Sequence, residues 1–416
     1  MNVYITLFLS VVAIAICLRK KLMIGIAILS AGLVMWVCND RSLATFSTSF
    51  VETVTAAKSW DLLFALYFVM CLEVQLRRSG TLQKMVEALN RLFHSARATI
   101  AVMPAFLGLL PSIGGALFSC PIVAQGSRGM EISAERKAAV NYFFRHVFET
   151  SSPTVPGMLL ACAIAGISLS DLVLHLFWYS ILAIAVGWIV LILPLKNSAK
   201  VEDKAAAGAD GKPLAVPSRS EDMGNVVLAV SPVLLNIFLM MAFAIPAGIS
   251  MGVSVLALMV MLKLLGRGVG VKTVIVEAVN KKLIFNVCCI LYFIALLSNT
   301  GVLAQTTAAM NALPLPTPVS FAILCVFLGL LTGMSQGYIA VAVPICTAIA
   351  PGSLDYVALA MVFCCAGQML TPVHLCFTIS VEYFKADFFK TLNLIFWCEV
   401  LMLPFYALWA WWTWPL

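Results

Sequence analysis

Charged residues are scarce in this chain. Asp, Glu, Lys and Arg make up 11% of its 416 residues, whereas an ordinary globular domain carries about 25%. Hydrophobic residues account for 62% of the chain, and the mean hydropathy is +1.02. Apolar runs of membrane-spanning length follow one another from end to end. The sequence therefore predicts an all-α polytopic membrane protein, because helices satisfy their own backbone polar groups in lipid.

Motifs for catalysis and cofactor binding are also missing. The thirteen cysteines form no Cys-x-x-Cys pair and no Cys/His ligand spacing, and most lie in apolar runs, where cysteine packs as a small apolar residue. There is no His-Glu-x-x-His, and the longest polar stretch holds no nucleotide motif. We therefore expect no disulfide, no metal site, no catalytic residue and no cofactor, apart from a coupling ion such as sodium. The net charge of +7 lies in short loops, which does not indicate nucleic-acid binding.

The first half of the chain is a succession of apolar segments, two of which are interrupted. Its unbroken helices and one partly amphipathic stretch (the third) are predicted at 3–18, 22–38, 41–59, 60–77 and 170–195. Segment 98–126 is interrupted at Pro111-Ser-Ile-Gly-Gly115, and segment 135–168 at residues 150–157, which are rich in Ser, Thr and Pro. Gly and Pro in these positions stop a helix. We interpret 98–126 as a re-entrant helical hairpin and 135–168 as a broken helix.

The second half repeats this plan. Its helices and one amphipathic stretch (the third) are predicted at 226–245, 247–265, 271–282, 283–299 and 388–412. A hairpin at 317–350 is interrupted at 332–337, and a broken helix at 354–384 is interrupted at 368–372. Between the halves, residues 196–222 mix Lys, Asp, Ala, Gly and Pro without periodicity. This composition predicts a solvated cytoplasmic linker that separates a first repeat, 1–195, from a second, 223–416.

Short sequence matches relate the two halves. The pentapeptide Phe106-Leu-Gly-Leu-Leu110 recurs at Phe327-Leu-Gly-Leu-Leu331, and 327 − 106 is 221. Gly80 and Gly301 differ by the same number, and Pro153 and Pro372 by 372 − 153 = 219. Three pairs in one order and nearly one register predict a doubled unit. Weak internal symmetry of this kind is typical of secondary transporters.

The distribution of basic residues predicts how the two units are oriented. If each hairpin enters and leaves on one face, each half crosses the membrane five times, and the second half is inverted. Of the 26 Lys and Arg residues, all but Arg41, Lys58 and Arg145 then fall on the cytoplasmic side. The first apolar run is followed, not preceded, by basic residues, which is typical of a retained helix rather than a cleaved signal. We expect both termini outside.

The hairpin tips are candidate substrate sites. Ser112, Gly114 and Gly115 lie at one tip, and Ser335, Gln336 and Gly337 at the other. Each tip presents the positive N-terminal end of its returning helix, and such ends attract anions. The alternative is that these small residues only permit close helix packing.

The two broken helices are candidate ion sites. Ser152 and Thr154 lie at the first break and Thr371 at the second. Their hydroxyls, with carbonyls freed by the break, are suitable ligands for a hard cation such as sodium. A simple proline kink is the alternative.

The most polar stretch within an apolar segment precedes the first break. Asn141 and Arg145 are candidates for the substrate and Glu149 for ion coupling, because desolvation and the helix dipole both favour a neutral Glu149 until a cation arrives. Arg145 and Glu149 are spaced i,i+4, so a structural ion pair is the alternative. Gln368 is the counterpart of Glu149, and His374 is a candidate proton carrier.

This arrangement resembles the ion transporter superfamily, which includes dicarboxylate:sodium symporters, gluconate and lactate permeases, arsenite pumps and sodium/proton exchangers. The matching residues are Leu109-Leu110-Pro111 with Gly114-Gly115-Ala116, Asn141-Tyr142-Phe143 with Arg145-His146, and Pro153 to Gly157. They are most similar to a branch of conserved bacterial and archaeal membrane proteins of unknown function. The Ser-Asn-Thr of dicarboxylate symporter tips occurs here at Ser298, outside both hairpins.

The resemblance implies an elevator transporter in the inner membrane of a prokaryote, commonly a homodimer. Scaffold helices would come from 1–97 and 226–299, and the hairpins and broken helices would form the moving transport domain. We expect a secondary transporter for a small, carboxylate-like organic anion, coupled to sodium or protons. The alternatives are a cation/proton antiporter that exchanges on Glu149, an intramembrane hydrolase and a passive channel.

Overall fold

A computed structural model describes residues 2–92, 95–109, 116–195 and 218–414, except for the side chains of Asn90, Leu117 and Phe118. Across these ranges the chain is almost entirely α-helical and forms no β-strand. The all-α class predicted from the sequence is confirmed. The hairpin tip at 111–115 and nearly all of the predicted linker lie outside the described residues.

The described residues form twenty α-helices. In chain order they are α1 Val3–Arg19, α2 Ile24–Asn39, α3 Leu43–Thr55, α4 Ala57–Arg78, α5 Thr81–Leu92, α6 Ala96–Gly108, α7 Ala116–Gly126, α8 Ala134–His146, α9 Pro156–Ala165, α10 Leu169–Gly187, α11 Arg219–Phe243, α12 Ala247–Leu264, α13 Val271–Glu277, α14 Lys281–Asn299, α15 Val302–Asn311, α16 Thr317–Thr332, α17 Ser335–Ile349, α18 Leu354–Met369, α19 Leu375–Phe384 and α20 Phe388–Thr413. A π-helical turn, Trp188–Ile192, extends α10.

Six of the described helices are long and apolar enough to cross a bilayer alone: α4, α10 with its π turn, α11, α12, α14 and α20. Their apolar windows are 28–61% buried inside the protein, so much of their surface is available to lipid. The helices α1 and α2, with 17 and 16 residues, are close to the spanning length. The protein is a multi-pass membrane protein.

The ten helices of each half follow in the same order, so that α1 corresponds to α11 and α10 to α20. The offsets match those of the short sequence motifs. Helices α5 and α15 begin 302 − 81 = 221 residues apart, and α9 and α19 differ by 219 at both ends (375 − 156 and 384 − 165). Gly80 and Gly301, which directly precede α5 and α15, both have φ of +70°. Glycine enters this left-handed conformation without a steric penalty, and it ends the preceding helix.

Helices α5 and α15 have no counterpart in the sequence prediction, which treated the first as a basic loop. Lys84, Glu87 and Arg91 lower the mean hydropathy of α5, although its apolar residues follow a helical period. Met85 and Leu89 are buried against Ala229 of α11. The Arg91 guanidinium donates two short hydrogen bonds to the buried Asp222 carboxylate, at 2.6 and 2.9 Å.

Helix α11 also begins earlier than predicted, at Arg219 rather than after residue 222. The Ser218 side chain caps it by accepting a hydrogen bond from the Glu221 amide. Asp222 and Glu221 in its first turn are favourable there because the helix dipole is positive at that end. The predicted linker therefore loses its last residues to a capped helix.

The two halves hold each other through α2, α4, α12 and α14. Helix α2 packs on α14, and its counterpart α12 packs on α4. The Gly25 amide near the start of α2 donates to the Asn286 side chain at 3.1 Å, and the Gly248 amide near the start of α12 donates to Asp61 at 3.0 Å. A Cβ on either glycine would lie within 2.9 Å of the partner helix. Equivalent helices of the two halves therefore make equivalent close contacts.

Candidate functional site

The second hairpin reverses direction in two residues. Gly333 ends α16 with φ of +58°, Met334 is extended, and α17 begins at Ser335. The first hairpin, α6 and α7, has its tip at 111–115. The predicted substrate residues Ser112, Gly114 and Gly115 therefore lie outside the described residues.

Both broken helices are interrupted by a short irregular segment. The first runs from the end of α8 at His146 to the start of α9 at Pro156, and the second from the end of α18 at Met369 to the start of α19 at Leu375. The two segments fold alike. The Ser152 hydroxyl accepts from the Thr154 amide, and the Thr371 hydroxyl accepts from the Val373 amide, each at 3.4 Å.

Each break is tied to the first helix of its own hairpin. Thr154 Oγ1 donates to the Leu109 carbonyl at 2.5 Å, and Thr371 Oγ1 donates to the Leu330 carbonyl at 2.7 Å. Leu109 and Leu330 are 330 − 109 = 221 residues apart. These carbonyls lie at helix ends without an intrahelical partner, so the threonines supply a donor that the membrane does not.

We expect Thr371→Val to weaken the fold by about 1–3 kcal/mol, because the substitution removes the hydroxyl and leaves the Leu330 carbonyl without this donor. The apparent melting temperature of the purified protein in detergent measures the effect. Thr413→Val is the matched control, since Thr413 Oγ1 donates at 2.8 Å to a carbonyl of its own exposed helix end. An equal loss in both variants would contradict the anchoring role.

Glycine allows the hairpin helices to approach the broken helices closely. A Cβ placed on Gly108 of α6 would lie 2.0 Å from the Arg145 carbonyl oxygen of α8. A Cβ placed on Gly329 of α16 would lie 2.0 Å from the Cys364 carbonyl oxygen of α18. Both glycines belong to the repeated pentapeptide. The repeat is therefore conserved between the halves at a position where backbone meets backbone.

The hairpin of the second half also reaches the broken helix of the first. Gly157 of α9 lies against Ser335, and a Cβ there would be 2.7 Å from that of Ser335. The half-buried Glu149 carboxylate faces the Ser335 hydroxyl and the Gln368 amide, and it interacts electrostatically with His374 and Arg145. Residues predicted separately from the two halves thus converge around Glu149.

Gln368 is notable because its amide is 1% exposed and neither its oxygen nor its nitrogen has a hydrogen-bond partner among the described residues. The amide lies beside Glu149 without hydrogen-bonding geometry. Buried polar groups normally have partners, so this amide is available to a ligand or water.

Asn141 and Arg145 extend the polar region along α8. Asn141 is buried and donates to Ser380 Oγ at 2.8 Å, while its own Oδ1 has no described partner. Arg145 is 7% exposed, and its guanidinium donates to the Leu107 carbonyl at 3.3 Å among its interactions. A positive charge is therefore held at the interface between α6 and α8.

The other predicted tip residues have mixed surroundings. Gln336 is partly exposed, whereas Gly337 is buried. A Cβ on Gly337 would lie 2.9 Å from Thr332 and 3.0 Å from Ile24 of α2. This close contact corresponds to the packing alternative for Gly337.

Two histidines from different halves meet beside the breaks. His146 Nε2 lies 3.1 Å from His374 Nε2. His146 Nδ1 contacts the Tyr142 carbonyl at 2.7 Å, and His374 Nδ1 contacts the Gly333 carbonyl at 2.8 Å. The Tyr142 ring packs against both imidazoles, with centroids 4.9 and 5.4 Å away. Neither Tyr142 nor the pairing of the histidines was predicted from the sequence, because the two are 228 residues apart.

A large cavity lies away from these residues. It has a volume of about 780 Å³ and is lined by α4, the end of α9, the start of α10, the end of α11 and the start of α12. Lys58, Asp61 and Asp171 are its charged lining residues. None of the described candidate site residues lines it. It separates α9 and α10 from α4, α11 and α12.

The sequence profile of the family DUF401, described as protein of unknown function, matches residues 2–203 and 270–410. The chain belongs to the DUF401 family. Among solved structures, this DUF401 chain is similar to the YdaH transporter of Alcanivorax borkumensis, whose topology is described as unusual. The TM-score is 0.60 at 14% identity, over 97% of this chain and 99% of that chain. At this identity the likeness shows a shared fold. No curated protein matches the sequence.

The DUF401 match confirms that part of the resemblance which placed the chain among membrane proteins of unknown function. The shared fold confirms the multi-pass, all-helical architecture. Membership of the ion transporter superfamily and the roles of the individual site residues stay predictions, and they enter the proposal below.

Proposed function

We propose that this DUF401 protein is a secondary active transporter for a small organic anion of the carboxylate type, coupled to sodium or protons. The observation that supports it best is the meeting of the second hairpin tip with both broken helices around Glu149. Irregular backbone in a membrane protein is tolerated where it is buried in protein or lines a watery cavity, and ionisable side chains there mark transport pathways.

The anion would bind between the hairpin tips and α8. The start of α17 at Ser335 is the positive end of a helix dipole, and Arg145 and the unpartnered Gln368 amide supply further donors. Gln336 and Asn141 lie near enough in the chain to contribute. On the other side, Ser112, Gly114 and Gly115 are proposed by analogy of sequence position.

The coupling ion would neutralise Glu149. A proton binds the carboxylate directly, whereas sodium would take oxygen ligands from the carboxylate and from the hydroxyls at the breaks, Ser152, Thr154 and Thr371. Thr154 and Thr371 already donate to hairpin carbonyls, and their lone pairs are still available to a cation. His374 is proposed as a proton carrier beside the same carboxylate.

The motion would follow an elevator scheme between inverted repeats. The corresponding order of α1–α10 and α11–α20 and their equivalent contacts support the repeat. Helices α6–α9 and α16–α19 would form the moving transport domain, and α1–α5 and α11–α15 a dimeric scaffold in the inner membrane of a prokaryote. The cavity of about 780 Å³ separates α9 from α4, α11 and α12, so it lies between the two proposed domains. The likeness to a protein described as a transporter also supports the scheme.

A screen of purified protein tests this proposal first. We expect one or more small carboxylates to raise the apparent melting temperature, with an effect that depends on sodium or on pH, because a ligand that binds the folded state stabilises it. Proteoliposomes that contain the protein should then accumulate the same anion down an imposed sodium or proton gradient. If no anion binds and cation exchange alone is observed, the alternative, a cation/proton antiporter that exchanges on Glu149, replaces the proposal.

A further inference from the structure

The tautomers of His146 and His374 follow from their backbone contacts. A carbonyl oxygen only accepts, so His146 Nδ1 must donate to the Tyr142 carbonyl at 2.7 Å and His374 Nδ1 must donate to the Gly333 carbonyl at 2.8 Å. In a neutral imidazole with a protonated Nδ1, Nε2 carries a lone pair. The two Nε2 atoms lie 3.1 Å apart. Two lone pairs therefore face each other across a gap that one cation would bridge.

A third ligand atom completes the cluster. The Cys376 sulfur and the two Nε2 atoms all lie within 4.8 Å of one another. A proton shared between the imidazoles needs no thiol, whereas a metal ion with a preference for nitrogen and sulfur does. Two bonds of about 2.0–2.1 Å to one ion are compatible with a nitrogen separation of 3.1 Å. Histidines that bind metal commonly donate their other ring N–H to a backbone carbonyl, as both do here.

We propose that His146, His374 and Cys376 bind one zinc-like transition-metal ion. The two imidazoles would bind as neutral ligands and Cys376 as a thiolate, whose proton passes to solvent on binding. His374 is nearly fully buried, whereas His146 and Cys376 are partly exposed, so the ion has an approach. This inference is independent of the proposed transport of an anion.

The position of the site indicates a structural consequence. His146 is the last residue of α8 in the first half, and His374 and Cys376 flank the start of α19 in the second half. His374 is also bonded to Gly333 at the second hairpin tip. A bound ion would therefore join the break of one half to the break and hairpin of the other.

Cobalt(II) provides a spectroscopic test on the full chain in detergent. After treatment with a chelator, we expect the protein to bind about one Co²⁺ per chain, with an absorption band from thiolate-to-cobalt charge transfer, and zinc to displace it. His146→Gln and His374→Gln should each weaken binding at least ~10-fold, and Cys376→Ser should remove the band. His175→Gln and Cys288→Ser are matched controls, since His175 pairs with Asp355 at 3.2 Å and Cys288 is exposed.

A second measurement needs no variant. Zinc should protect Cys376 from alkylation in the unmodified chain, and should leave Cys288 reactive, as read by mass spectrometry. The proposal is overturned if the chain retains no cobalt, if His374→Gln binds it as tightly as the unmodified chain, or if zinc does not protect Cys376. Nitrogen NMR that found a single proton shared by the two imidazoles, with no metal bound, would also overturn it.

Discussion

Gly329→Ala should be among the most damaging single substitutions in this protein. The new Cβ would lie 2.0 Å from the Cys364 carbonyl oxygen and 2.8 Å from the Gln368 amide nitrogen. Both are backbone atoms of α18, so no side-chain rotation relieves the overlap, and α16 and α18 must separate. We expect a loss of roughly 3 kcal/mol or more, with much of the protein aggregated after extraction. Size-exclusion profiles and melting curves in detergent measure it.

Gly108→Ala should have a similar effect, because the equivalent Cβ would lie 2.0 Å from the Arg145 carbonyl oxygen. Gly224→Ala is the control. Gly224 lies in α11, and a Cβ there has no atom within 4 Å, so alanine should leave stability unchanged or raise it by up to ~1 kcal/mol. If Gly329→Ala behaves like Gly224→Ala, the described packing of α16 on α18 is wrong.

Glu149→Gln should remove proton-driven transport while the protein remains folded. Glutamine has nearly the same shape as glutamate but does not take up a proton at this position. Under the proposed function, we expect anion accumulation driven by a proton gradient to fall to the level of protein-free liposomes. The melting shift caused by the anion should persist, because Ser335, Gln368 and Arg145 are unchanged.

Glu382→Gln provides the comparison, since Glu382 is exposed near the end of α19. This variant should transport normally. Proton-driven accumulation that survives unchanged in Glu149→Gln would remove Glu149 from the coupling mechanism. Loss of pH-dependent cation exchange, in a protein to which no anion binds, would instead favour the antiporter.

The sequence was sufficient to predict where helices stop, because the stops are local. Gly333 permits the left-handed residue that ends α16, and Pro156 fits the first turn of α9, where no amide partner is needed. The long apolar runs likewise predicted the spanning helices. The short helices α5 and α15 were missed because their charged faces lower hydropathy, and the start of α11 was missed because its cap lies in a polar stretch.

The site was less accessible to sequence reasoning, because it is assembled from distant parts of the chain. Glu149, Ser335 and Gln368 were each predicted, yet their proximity depends on how α9, α17 and α18 pack. The contact between His146 and His374 crosses from one half to the other. Cys376 gave no signal, since the cysteine two residues after His374 lies in an apolar run and resembles ordinary packing. The Nδ1 contacts that fix both imidazoles are to backbone carbonyls, which no residue pattern reveals.

The glycine contacts of Gly108 and Gly329 limit the movements open to this protein. If α16 slid along α18, or α6 along α8, a residue with a side chain would arrive where there is room for a hydrogen atom alone. Shear between these neighbours is therefore blocked in both halves. Any large displacement has to carry each hairpin arm together with its adjoining half-helix, like two bolts that can be moved but not stretched.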